Sequence, residues 1–179
     1  MHCWKTINLE RQFGFYRVFL LSSIIMMMVF SLIYVPMNLV YSSSFYDNHL
    51  LGFVLGLLSI YPLHKLIHVM PILPYVRLMR WKWNRKLVIL PIVSLRVDRP
   101  ISKYLYMIAL IAPFLVINSI LMSGCILFPH YSHYFAILLA FHSGICAIDF
   151  IYAKQLMYSP KEALIEENDE GYEILIYQG

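Results

Sequence analysis

Two histidines stand four residues apart in the run YPLHKLIHVMP, at His64 and His68. Positions i and i+4 share one face of a helix. This is the spacing of the helical motif His-Glu-x-x-His, in which both imidazoles hold zinc and the glutamate serves as general base. Here Lys65 occupies the glutamate position. A carboxylate lies far away in sequence, Asp149, in the stretch HSGICAIDFIYAK, with His142 seven residues before it. A carboxylate facing two imidazoles from a neighbouring helix is a three-ligand set for zinc, with a fourth position for water. The same residues have a plainer reading. Lys65 and Asp149 would form an intramembrane ion pair, or the lysine would snorkel to the interface, with the histidines hydrogen-bonded nearby.

Whichever reading holds, the elements that must position these groups are membrane helices. The chain has 179 residues, 60% of them hydrophobic and 13% charged, whereas a soluble domain is about a quarter charged. The charges are segregated: Val18–Tyr46 and Tyr104–Ile148 contain no Asp, Glu, Lys or Arg. A helical span needs roughly 20 apolar residues. Four spans follow, over about Val18–Val40, Leu50–Ile72, Tyr104–Phe128 and Tyr134–Ala153. The first is longer than the apolar core of a signal peptide, and Tyr34-Val35-Pro36 offers no small-x-small cleavage site, so it reads as a retained span. The fold class expected is an all-α membrane protein of four transmembrane helices, with a short β-hairpin-like loop between helices two and three. The organisation expected is an N-terminal segment 1–17, a transmembrane domain 18–157 containing the basic loop 77–102, and an acidic tail 158–179.

Basic residues set the orientation. Lys5, Arg11 and Arg17 precede the first span, and Arg77, Arg80, Lys82, Arg85, Lys86, Arg96 and Arg99 lie between spans two and three. The connections YSSSFYDNH and PHYSHY carry neither Lys nor Arg. The positive-inside rule then puts both termini and the middle loop in the cytoplasm of a multi-pass cell-membrane protein. The loop alternates polar and aromatic residues in RWKW and is β-branched in KLVILPIVSLRV, which suggests a hairpin turning near Asn84. A basic aromatic segment touching anionic lipid accounts for the same residues. Because topology already explains the charge, no nucleic-acid partner is expected, and the partner expected is the bilayer. In the tail, Glu162, Glu166, Glu167, Asp169, Glu170 and Glu173 read as a solvated charge run, with GYEILIY as a single strand. Cys3, Cys125 and Cys146 have neither zinc-ribbon spacing nor a disulfide framework, and no lipoprotein signal precedes Cys3.

Ionisable groups inside a span are costly and are functional candidates by default. Spans two and four both begin at the outer face. His64 follows Leu50 by 14 residues and Asp149 follows Tyr134 by 15. At about 1.5 Å per residue both lie roughly 21–23 Å into the membrane, and His68 lies one turn deeper. His142 shares a face with Asp149 but sits about 10 Å from it along the axis, too far to be an easy ligand.

Taken in order, the motifs resemble a family of small bacterial membrane proteins known as putative zincin peptidases, distantly similar to site-2 proteases. The residues that carry the resemblance are HKLIH at His64–His68, ISKYLYMIALIAPFLVIN at Ile101–Asn118, and HSGICAIDFIYAKQLMYSPKEALIEENDEGYEILIY from His142. Their order along nearly the whole chain is the strongest part of it. The resemblance implies zinc as cofactor, with Asp149 at the third-ligand position beside His64 and His68. Two departures stand out. Ile148 replaces a glycine before the aspartate, and Lys65 replaces the general base, which a charged lysine cannot be. No Glu lies between Glu10 and Glu162 to stand in, and loss of a general base costs about 100- to 10,000-fold in rate. The expected function is therefore a degenerate zincin scaffold without hydrolysis and with no catalytic residue. It would act as a regulator or binder of transmembrane segments of other proteins. The alternatives are an active intramembrane zinc peptidase, a small transporter or channel subunit using the His/Lys/Asp cluster, and an assembly protein whose Lys65–Asp149 pair sets helix register.

Overall fold

The computed structural model describes residues 2–41, 45–73, 79–83, 93–97, 100–168 and 171–176. Four long helices dominate it. After a strand β1 (His2–Ile7) and a short helix α1 (Leu9–Phe13) come α2 (Phe15–Tyr41) and α3 (Leu50–Val69). Strands β2 (Met79–Trp83), β3 (Val93–Val97) and β4 (Ile101–Ser102) precede α4 (Lys103–Leu127) and α5 (Ser132–Met157), and β5 (Leu164–Asn168) and β6 (Gly171–Ile176) close the chain. The helices centred on α2, α3, α4 and α5 are long and apolar enough to cross a membrane, with mean hydropathies of 2.5, 1.7, 2.2 and 1.8.

α5 is the central helix. It packs along both α2 and α4, and α3 lies against α4 and α5. Over half of the apolar window of α5 is buried (56%), against none of that of α2. The outer face of α2 exposes Phe19, Met27, Leu32 and Leu39. An apolar surface of that extent is stable only against lipid or another protein. Close approach of α2 to α5 depends on Gly144, where an added Cβ would stand 3.1 Å from the Ser22 carbonyl. Small residues of this kind let membrane helices meet backbone to backbone. The middle of the bundle is closed by Ile60 and Ile67 of α3, Ile117 and Leu121 of α4, and Leu138 and Leu139 of α5.

The chain is mostly helical but not all-α. β1, β6, β5 and β4 form a four-stranded antiparallel sheet in that order. Its inner face, with Ile7, Ile165 and Ile174, packs on Tyr106 and Leu110 of α4 and on Ala153 and Leu156 of α5. The tail is thus two strands rather than one strand and a solvated run, because apolar residues interleave the acids and have a helical face to cover. Between β5 and β6, Gly171 takes φ +144°, and a Cβ there would strike the Ile7 carbonyl, so only glycine fits. The expected hairpin is present as the β2–β3 pair, with Trp81 opposite Leu95. Its expected turn near Asn84 lies outside the described residues.

The sheet fixes where α4 begins and where α5 ends. Ser102 is extended, and its side chain accepts from the Leu105 N–H (3.4 Å), capping α4. Lys103 is buried, and its Nζ donates to the carbonyls of Met157 (3.3 Å) and Ser159 (2.6 Å), just where α5 stops. A cation there satisfies carbonyls that the helix end leaves unpaired and complements its dipole. Removing the cap by Ser102→Ala is expected to lower stability by about 1 kcal/mol, read as a lower thermal midpoint in detergent. At the opposite end the connections dock on each other. Tyr46 stacks on His130 (4.5 Å), and Asp47 accepts from His133 Nε2 (3.2 Å).

Candidate metal centre

One stripe of α5 carries His142, Cys146 and Asp149 at spacings of four and three, then Ala153 and Leu156 below them. It faces the stripe of α3 that carries His64 and His68. Both stripes are helical faces, and α4 closes the third side with Ala109, Pro113 and Asn118. The polar cluster therefore sits where three helices meet, near the end of the bundle that the sheet covers.

His64, His68 and Asp149 come together as the depth arithmetic anticipates. His64 Nε2 lies 3.3 Å from Asp149 Oδ2, and His68 Nε2 lies 3.5 Å from Asp149 Oδ1. The two Nε2 atoms are 2.9 Å apart. His64 is 3% exposed, His68 18% and Asp149 13%, so the cluster is closed at His64 and partly exposed at His68 and Asp149. Lys65 takes no part. It is exposed, and among the described residues it has no ion-pair partner, so the pairing with Asp149 weighed from the sequence is absent. A residue one position on from His64 points about 100° away around the helix, and that turns Lys65 out of the cluster.

With the Asn118 amide in this orientation, the hydrogen bonds behind the histidines set where their protons are. The Ala109 carbonyl can only accept, so His68 Nδ1, 2.7 Å away, donates to it and leaves Nε2 as a lone pair. That carbonyl is available because Pro113, four residues on, has no N–H to return to it. Behind His64 a longer chain does the same. Asn118 Nδ2 donates to Ser143 Oγ (3.1 Å), and Asn118 Oδ1 accepts from His142 Nδ1 (2.7 Å). His142 Nε2 is then an acceptor, and His64 Nδ1 donates to it (3.1 Å). His64 Nε2 is left as a second lone pair.

Two imidazole lone pairs and a carboxylate therefore converge with no donor among them. Asp149 Oδ2 is buried and accepts no hydrogen bond. Acceptors gathered in this way repel one another unless a cation joins them. The donor set is that of a catalytic-type zinc site, two His and one carboxylate. Ligand atoms 2.0–2.1 Å from a tetrahedral zinc stand about 3.3 Å apart; here the two Nε2 atoms are 2.9 Å apart and face different oxygens of the Asp149 carboxylate, at 3.3 and 3.5 Å. The residues fit the metal.

A match over residues 57–164 with the family described as putative zincin peptidase covers more than half of the chain. The chain belongs to that family. The matched stretch takes in both histidines of α3, all of α4, and α5 with Asp149, and it ends at the first residue of β5. The zincin peptidase description thus falls on the elements that build the cluster. No curated protein and no solved structure matches the chain.

Sequence reasoning missed two members of the cluster. It set His142 aside by its distance from Asp149 along α5, although the contact that matters runs across to α3. Cys146 drew no attention because it lacks zinc-ribbon spacing to another cysteine. Its Sγ lies 3.5 Å from His142 Nε2 and 4.0 Å from His64 Nδ1. The signal available was the spacing His142, Cys146, Asp149, which places all three on one face.

Proposed function

We propose that this chain is a multi-pass cell-membrane protein that holds zinc through His64, His68 and Asp149 and does not hydrolyse peptide bonds. The observation that carries the reading is the convergence of three acceptors without a donor, with Lys65 exposed outside it. Zinc bound there would supply Lewis-acid polarisation of an oxygen ligand. The chain's own residues supply the ligands, the two orienting bonds to Ala109 and His142, and an apolar wall. They supply no general base: Asp149 is the only carboxylate within the four long helices, and it is spent as a ligand.

The basic residues before α2 and between α3 and α4 support placing both termini in the cytoplasm. The sheet and the metal cluster then face that side. A zinc-bearing scaffold without a base would recognise a transmembrane or membrane-proximal segment of another protein without cutting it, as a bacterial pseudoenzyme with a regulatory or adaptor role. That last step rests on fold-level analogy.

The test is metal content by plasma mass spectrometry on the full chain purified in detergent, beside His64→Ala/His68→Ala. About one zinc per chain, absent from the double variant, is the expected result for a single three-ligand site. No zinc above the level of the variant would overturn the metal reading. Cleavage of a membrane-protein substrate by the zinc-loaded chain, lost in the double variant, would overturn the non-hydrolytic part alone.

A further inference from the structure

A second set of ligand atoms lies on the far side of His64. His64 Nδ1, His142 Nε2 and Cys146 Sγ are separated by 3.1, 3.5 and 4.0 Å. All three residues are buried, at 3%, 0% and 1% exposure. We propose that this triad is a separate site for a soft monovalent metal ion, copper(I), bound by one thiolate and two imidazoles.

Three features select copper(I) over zinc here. A thiolate with two imidazoles in a trigonal set is a copper donor set, and soft sulfur ligands favour copper(I). Zinc in a closed site takes four ligands, whereas this set offers three, and Asn118 Oδ1 behind it already accepts from His142 Nδ1. Charge decides the matter. One thiolate neutralises copper(I), whereas a zinc dication on the same ligands would leave a positive charge on the triad itself, offset only from across His64 by Asp149. The Asp149 side of His64 differs in being partly exposed, so it tolerates the dication.

The two sites share one imidazole and compete for it. The zinc set uses His64 Nε2 and needs the proton on Nδ1. The copper(I) set uses Nδ1 and sends the proton to Nε2, 3.3 Å from Asp149 Oδ2, the buried oxygen that otherwise accepts no hydrogen bond. Copper(I) binding also displaces the Cys146 thiol proton, which leaves to solvent. Filling the copper(I) site therefore disarms the zinc site, and the reverse holds. The inference does not depend on zinc being bound, since the triad has its own ligand atoms.

The experiment is anaerobic titration of the detergent-purified full chain with copper(I) buffered by bicinchoninate. One equivalent should bind, be lost in Cys146→Ser, and persist in His68→Ala and in Cys3→Ser/Cys125→Ser. Prior loading with zinc should weaken it by at least about tenfold, the lower end for perturbing a metal's ligand environment. Copper(I) held equally by Cys146→Ser, or held through Cys3 or Cys125, would overturn the inference. If Cys146→Ser does not fold, X-ray absorption on the copper(I)-loaded native chain decides: one sulfur and two nitrogen neighbours support the site, and any other first shell refutes it. Zinc lost in His68→Ala with no copper(I) bound by any form sinks this inference alone. Copper(I) bound as expected with no zinc in the native chain sinks the zinc reading alone.

Discussion

Replacing Pro113 by alanine is expected to weaken zinc binding by about 10- to 100-fold, the range for losing an outer hydrogen-bond partner of a metal-ligating histidine, while leaving the fold at least as stable. The two effects share one cause. Proline inside a helix withholds an N–H from the carbonyl four residues earlier. In α4 that carbonyl belongs to Ala109, the acceptor of His68 Nδ1 at 2.7 Å. Alanine restores the N–H and gives the Ala109 oxygen a helical donor that competes with the imidazole. His68 then loses the bond that holds its ring and keeps its proton on Nδ1. A change that raises thermal stability and lowers metal affinity together is hard to produce by general damage. Competition against a zinc-binding dye, with melting curves on the same samples, reads both. Unchanged zinc affinity in Pro113→Ala would show that the Ala109 bond does not matter.

The same proline illustrates what the sequence discloses. The run Ala112-Pro113-Phe114 enters the sequence reading only through a resemblance, yet its physical content is a freed carbonyl at a known position. The four long helices were legible because charge-free stretches of sufficient length admit few other structures. Their observed ends, such as Phe15–Tyr41 against an expected Val18–Val40, differ by the few residues that interfacial aromatics contribute. The meeting of His64 and Asp149 was legible because counting residues from the same end of two helices places side chains at one level. Of the four-stranded sheet only β6 was legible, as the strand read in GYEILIY; its partners were not. β4 is two residues long, β1 buries only Ile7, and the acids of β5 hide the apolar residues beside them. A strand of that kind is defined by the helix ends it covers, which no local pattern records. The alternative reading, a Lys65–Asp149 pair, fails for a related reason. Depth places two residues at one level, but only the rotation of α3 decides which of them faces α5.

Asn118→Leu is the second substitution with a large expected effect, a fall in zinc affinity of about 10- to 100-fold. Its cause is the direction in which hydrogen bonds run from α4 to His64. With Asn118 Nδ2 on Ser143 and Oδ1 on His142, every donor points away from the metal cluster, and His64 Nε2 is free to bind. Turning the amide over reverses the chain. Asn118 then donates to His142, His142 donates to His64, and His64 Nε2 carries a proton towards Asp149. The reversed state satisfies the carboxylate without a metal and has one ligand fewer for zinc, so the amide of Asn118 sets how far the chain is pre-organised for the ion. Leucine keeps the approximate volume and abolishes the preference. Ser143→Ala removes only the hydroxyl that holds the amide in place, and a smaller loss is expected from it. The order native, Ser143→Ala, Asn118→Leu in zinc affinity, at similar thermal stability, is the signature of this relay. Equal affinities in all three would mean that His64 is oriented by packing alone.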